Sequence, residues 1–296
     1  MNPREKGFLL LSSDLGDPCR KCLTTAQMRT LADRSWQLDA ADEDRPLLVS
    51  DLMALGYGLQ MAQRIVDLLE QEDVLQHYIQ QAKKSDCYPI TRVSAEYPLH
   101  LRKRLGLDSP GVLWAKGHME ILNTPMVSLV GSRDLSESNR QFAREVGRQA
   151  AKQGYTLVSG NARGADQAAQ NACLAAGGKV ISVVADSLAE HHTKENVLYL
   201  SLDSFDSEFS AQRALSRNRV IHALGNCCFV AQCTLGMGGT WDGTLKNLRF
   251  GWSSVFCFDD GSDAMQQLLQ MGATGITMEQ LDDFQTLKAD CASFFE

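Results

Sequence analysis

Six short apolar bursts between residues 126 and 258 constrain this chain more than anything else in it: MVSLVG, TLVSG, KVISVVA, VLYLSLD, CCFVAQC and SSVFCF. Runs of that length, rich in Val, Leu, Ile and Phe, read as strands buried on both faces. Helical or mixed segments separate most of them, which is the pattern of βαβ units. The expected class is therefore α/β, a mainly parallel sheet covered on both sides.

The intervening helices are legible as well. After Ser138, the residues Phe142, Ala143, Val146, Ala150 and Ala151 mark one apolar face, and Gly154 is placed to end that helix in a left-handed cap. In GADQAAQNACLAAGG the small residues Ala168, Ala169, Ala172 and Ala176 suit close approach to the sheet, and Gly177-Gly178 stops the helix. A third helix spans AQRALSRNRVIHAL up to Gly225.

Residues 1–85 have a different rhythm and read as a helical N-terminal domain. Thr24-Thr25 can cap a helix through AQMRTLADRSW, and Leu55-Gly56-Tyr57-Gly58 breaks the next apolar stretch into two short helices. Helices joined by a glycine turn suggest a SAM-like or helix-hairpin-helix unit. Such a hinge either only packs or also points N–H groups at DNA phosphates. Residues 86–125, with Pro98, Pro110 and Pro125 and the strand-like VLWAKG, read as a connector, and residues 126–296 as the sheet domain.

Composition removes several function classes. No apolar run is long enough to span a bilayer, and the start MNPREKGFLLLSSDLGD has no long apolar core or small-residue cleavage site, so a cytoplasmic chain with no membrane partner is expected. A net charge of -7 argues against coating nucleic acid by bulk charge, so any such contact must come from a local basic patch. The nine cysteines are odd in number and lie mostly in apolar runs, as buried thiols do. Only Cys19 and Cys22 have metal-ligand spacing, and no second pair follows, so no metal and no cofactor are expected.

In a parallel sheet, ligands bind beyond the carboxyl ends of the strands. Those ends carry Gly131-Ser132-Arg133 with Ser136 in the turn that follows, Ser159-Gly160-Asn161-Ala162-Arg163-Gly164-Ala165-Asp166, and Gly236-Met237-Gly238-Gly239-Thr240. Glycine lets backbone approach closely, hydroxyls and N–H groups bind oxygen, and arginine supplies charge. One such loop is often only a turn. Three at one sheet edge point to an oxyanion cradle, above all for phosphate. No GxGxxG and no P-loop follow the first strand, which disfavours a dinucleotide cofactor. Arg213, Arg217, Asn218 and Arg219 add a basic helix, whose arginines alternatively pair with Asp203, Asp206 and Glu208 upstream. Trp241, beside the glycine loop, is a candidate ligand contact, whereas Trp114 and Trp252 read as packing residues.

The ordered set VGSR, SGNARGAD with its Ala-rich helix and GG, RNRVIHAL and a following apolar strand resembles the Rossmann-like domain of the DprA/Smf family of DNA-processing proteins. The upstream EYP, SPGVLWAKG and helical region are similar to that family's SAM-like domain and connector, so the likeness runs from about residue 50 to 275. It implies a non-catalytic single-stranded DNA binder that helps load a RecA-type recombinase during DNA uptake, with a homodimer left open. By position it implies that Gly131, Ser132, Arg133, Ser159, Gly160 and Arg163 line a phosphate pocket, that Arg217, Asn218 and Arg219 form the family's RNR element, and that Asp166 is its Gly-x-Asp acid. The chain departs from the family at Gln170, where His is usual, at Ala214-Leu215, where Phe-Pro is usual, and in the loop GMGGTWDGTLKNL.

That loop is similar to the PGGxGTxxE motif of the LOG family of nucleotide phosphoribohydrolases, with Leu235 at the proline position and Gly243 at the catalytic glutamate position. Without that carboxylate, acid/base help at the N-glycosidic bond is missing unless Asp242 substitutes. A third reading keeps the pocket and makes the protein a nucleotide-ligand sensor, as in antiphage defence.

Overall fold

A computed structural model of the protein describes residues 1–36, 45–202 and 204–287. The chain forms two compact units, residues 1–97 with 110–113, and residues 98–109 with the chain from 114 on.

The first unit is helical: α1 (Pro3–Ser12), α2 (Thr25–Ser35), α3 (Val49–Ala54), α4 (Leu59–Leu69) and α5 (Glu72–Lys84), followed by the short strand β1 (Tyr88–Thr91). Its helix starts follow from local chemistry. Asn2 with Glu5, and Thr24 with Gln27, form reciprocal capping boxes that satisfy orphan N–H groups. Leu11, Leu23, Leu52, Ala62, Ile65 and Leu68 make its core. Gly56, at φ +83°, turns the chain between α3 and α4, and the N–H groups of Gly56 and Tyr57 donate to Met53 and Leu52 carbonyls. The hinge amides are thus used within the hairpin. The Cys19–Cys22 segment is tied down by arginines: Arg20 donates to the carbonyls of Leu10 and Ser13, and Arg64 to those of Lys21 and Cys22.

The second unit opens with α6 (Leu99–Leu105), whose Arg104 donates to the carbonyls of Ala223 and Gly225. Its sheet contains β2 (Val112–Gly117), counted from Trp114, β3 (Met126–Val130), β4 (Thr156–Ser159), β5 (Lys179–Val183), β6 (Val197–Ser201), β7 (Cys227–Val230), β8 (Ser254–Phe258) and β9 (Thr274–Ile276). The spatial order is β2-β6-β5-β4-β3-β7-β8-β9, parallel except that β2 runs against β6. All six apolar bursts are strands, and VLWAKG is the strand that runs antiparallel to β6. β9 was not expected; three residues with an exposed glycine carry too little periodicity to show.

Helices α7 (Glu137–Lys152) and α8 (Ala165–Ala175) follow β3 and β4, and α9 (Ala211–Leu224) and α10 (Gly238–Phe250) precede and follow β7; α11 (Asp263–Gln270) follows β8. Helices α7 and α8 pack on each other and on the sheet, as do α9 and α10, and right-handed crossovers, the rule for parallel strands, assign the two pairs to opposite faces. The close approach expected of the alanine helix is made to α7 as well as to the sheet. A Cβ on Gly147 would lie 2.1 Å from the carbonyl oxygen of Ala169. Ala168 and Ala172 are partly open and Ala176 is exposed, while Ala169 is buried.

Candidate functional site

The strand order reverses at β3. From there the chain first builds β4, β5 and β6 to one side, then returns to lay β7, β8 and β9 on the other. Ser128 shows the junction directly, paired in register with Val158 of β4 and with Cys228 of β7. At such a switch point the loops leave in opposite directions and open a crevice.

Backbone hydrogen bonds stitch the three expected loops together there. The Ser132 N–H donates to the Gln232 carbonyl (2.9 Å), and the Ala165 N–H donates to the Ser132 carbonyl (3.1 Å). Gly131 is required by packing, since a Cβ would lie 2.4 Å from that of Ala165. Gly164, at φ +87°, sets its Cα against the carbonyls of Ser132 and Arg133, where a Cβ would lie 2.3–2.4 Å from both oxygens.

Between the loops lies a cavity of about 480 Å³. Ser132, Arg133, Asn218, Gly238, Gly239 and Thr240 line it, with Asp166 and Arg217 at its wall. Arg133 is exposed and makes no ion pair among the described residues. It also borders an adjoining cavity of about 240 Å³, shared with Gly160, Arg163 and Asp186. Helix α10 starts at Gly238 without a side-chain cap, so first-turn N–H groups remain for a ligand.

Arg217 departs from the expectation of an outward basic track. It is 7% exposed, donates to the Val183 carbonyl, and lies against Gly160, where an added Cβ would fall 1.7 Å from the guanidinium. Its Nε has no partner among the described residues, although it is shut off from solvent. Asp166 is buried beside it, and its Oδ2 accepts the N–H groups of Gly160 (3.1 Å) and Ala162 (3.2 Å). Burial pushes the Asp166 pKa up, and the nearby Arg217 charge opposes that rise. The carboxylate therefore shapes the second loop and faces the buried cation.

Other expected residues serve the frame. Ser159 is fully buried and its hydroxyl accepts from the Gln170 amide (2.6 Å), so it does not line the cavity. Gln170, which stands where the resembled family has histidine, thus ties α8 to β4. Ser136 is the N-cap of α7, accepting from the Asn139 N–H. Asn218 donates to the Gly239 carbonyl (2.9 Å) and so sets the α10 terminus against α9. Arg219 lines neither cavity, and Arg213 donates to the carbonyls of Ala185, Ser207 and Glu208. Of the acids considered above, Asp203 lies outside the described residues. Trp241 is buried in α10 and does not touch the cavity; Trp114 and Trp252 are buried packing residues, as read.

Sequence reasoning missed an apolar shelf. Phe209, Leu215 and Met237 line the cavity and are 57%, 47% and 67% exposed. An aromatic inside the polar loop DSFDSEFS was the available signal. A larger cleft of about 740 Å³ lies between α7, the end of α8 and residues 278–282; Arg144, Arg148, Glu145, Glu279 and Asp282 are among its lining, and it shares no residue with the switch-point cavity.

The fold and this loop cluster define an α/β protein of the Rossmann-like class, built around a crevice at the switch point. A family model described as "DNA recombination-mediator protein A" matches residues 89–284, and the chain belongs to that family, the DprA/Smf proteins. It is 31% identical over 186 residues to the DNA processing protein DprA of Streptococcus pneumoniae, covering 58% of this chain and 66% of that relative, just under two thirds of its length. The X-ray structure of DprA from Streptococcus pneumoniae superposes with a TM-score of 0.65 at 25% identity, over 88% of this chain and 96% of that one. A second solved structure, DNA processing protein A from Helicobacter pylori, described for its single-stranded DNA binding mode, shares the fold. Its TM-score is 0.56 at 23% identity, over 66% of this chain and 94% of that one. No helix among the described residues is long and apolar enough to cross a membrane.

Proposed function

We propose that the protein binds single-stranded DNA by seating a backbone phosphate in the switch-point cavity, and that it catalyses no reaction there. The observation that carries this is the convergence of two arginines, Arg133 and Arg217, and the uncapped start of α10 on one cavity. Charged donors and free N–H groups aimed into one hollow bind phosphate oxygens more strongly than neutral donors do. Arg133 adds an exposed guanidinium at the rim, and the α10 terminus adds N–H groups. Phe209, Leu215 and Met237 supply a surface on which a base stacks without hydrogen-bond readout.

The hydrolase reading lacks its acid. Asp242 is exposed and outside the cavity lining, and a Cβ on Gly243 would already lie 3.0 Å from His222 Nε2. Delivery of the strand to a RecA-type recombinase, and a homodimer that lengthens the track, belong to the same proposal and rest on family membership. The test is fluorescence anisotropy with a single-stranded oligonucleotide at several salt concentrations. Affinity falls with salt and falls again in Arg133→Ala; no binding at low salt, or an unaltered variant, overturns the reading. Thermal stabilisation by free nucleotides without DNA binding would favour the sensor reading instead.

A further inference from the structure

A cleft of about 400 Å³ opens between α7 and α8 on the opposite side of the SGNARGAD loop. Arg140 and Arg144, one turn apart on α7, face Gln167 and Asn171, one turn apart on α8. Gly164, Ala168 and Ala172 form its floor, so the cleft exists because α8 is small along this edge. No carboxylate lines it. The acid in reach is Glu137, whose oxygens stand 3.7 Å from Arg140 and 3.5 Å from Arg144. One carboxylate against two guanidinium groups leaves a net positive cleft on a chain of net charge -7. The four amide and guanidinium side chains together offer only donors and carbonyl oxygens of Gln and Asn, a set suited to a phosphodiester.

Its position makes it more than an isolated patch. Arg133 is shared by the switch-point cavity and the 240 Å³ cavity beside it, and Arg163 borders the second of these. Gly164 follows Arg163 in the chain and opens the α7/α8 cleft, with its Cα against the Ser132 and Arg133 carbonyls. The three hollows therefore run in series around one loop. The larger cleft further along α7 shares Arg144 and Ala172 and adds Arg148, and the series ends there because Glu145, Glu279 and Asp282 also line it.

We infer that a DNA strand held in the switch-point cavity continues past Arg133 and Arg163 and places a further phosphate between Arg140, Arg144, Gln167 and Asn171. This rests on the single-stranded DNA reading above and extends it to a second element pair.

The test compares two double variants with wild type, using oligothymidylates of about 4 and about 20 nucleotides, lengths that bracket one short track and several. Arg140→Gln/Arg144→Gln removes the charge; Gln167→Glu/Asn171→Asp keeps the pairs with Glu137 and adds repulsion. Both are expected to weaken binding of the long strand roughly tenfold at low salt, with the salt slope of the first reduced by about 0.7 per lost phosphate contact. Binding of the short strand stays at the wild-type level. If both variants bind the long strand like wild type while Arg133→Ala does not, the extension is wrong and the cavity reading stands. If wild type binds neither strand, or Arg133→Ala binds both normally, the cavity reading fails and the extension with it.

Discussion

The guanidinium of Arg217 packs against Gly160, so close that a methyl group there would fall 1.7 Å from its nitrogen. The contact joins the second loop to α9 and holds a cation at the cavity wall under a turn closed by Asp166. Gly160→Ala must displace the arginine or the loop. Overpacking of that kind costs about 1–3 kcal/mol. The variant is expected to melt at lower temperature and to bind single-stranded DNA more weakly; calorimetry and anisotropy on the same preparation check both.

Arg133 and Arg217 separate binding from stability. Arg133 is exposed, so Arg133→Ala should leave the melting temperature unchanged and weaken DNA binding by about 1.5–3 kcal/mol, the usual size of a charged hydrogen bond. Arg217→Met leaves the buried Asp166 without its cation and should lower stability by about 3 kcal/mol as well as binding. Urea denaturation distinguishes the two, and equal stabilities would refute the structural role of Arg217.

Phe209 tests the apolar shelf. Phe209→Ala should reduce affinity by about 1–3 kcal/mol through lost stacking, with the salt dependence unaltered because no phosphate contact is removed. A changed salt slope would place Phe209 outside the base contact.

His222 is fully buried in α9, with Nδ1 3.1 Å from the Asn247 amide, and burial lowers its pKa to about 4. The unfolded chain titrates near 6.5, so protonation favours unfolding as pH falls from about 6.5 to about 4, and the stability is fully present above 6.5. The shift corresponds to about 3 kcal/mol. Urea midpoints measured from pH 7.5 to pH 4.5 should decline, and the part of the decline due to this group should vanish in His222→Gln.

Asp242→Ala should change nothing in the site. Nucleoside monophosphates incubated with either form should yield no free base by chromatography. Release that depends on Asp242 would reopen hydrolysis.

Much of the site was legible because its signals are local. VGSR, SGNARGAD and GMGGT announce strand exits by glycine, and those exits do meet at one edge. The roles of single side chains were less legible. Ser159 and Ser132 are both serines at strand ends, yet the Ser159 hydroxyl is held by Gln170 beneath the loop, while Ser132, whose hydroxyl donates to the Gln232 carbonyl (3.3 Å), lines the cavity. Which way each turns depends on the helix packed against its strand. Phe209 escaped notice because an aromatic in a polar loop has no periodicity to mark it.

The sequence alone determined the six apolar strands, the helices between them, the cap at Thr24 and the glycines at the loop mouths, since each depends on residues within a turn or two. Tertiary structure decided the order of the strands, and with it which loops share a crevice. It also turned Arg217 from a surface cation into a buried one, because the pairing of β3 with both β4 and β7 closes the sheet beneath it. Those outcomes rest on contacts between residues far apart in the chain, where packing and desolvation outweigh any local preference.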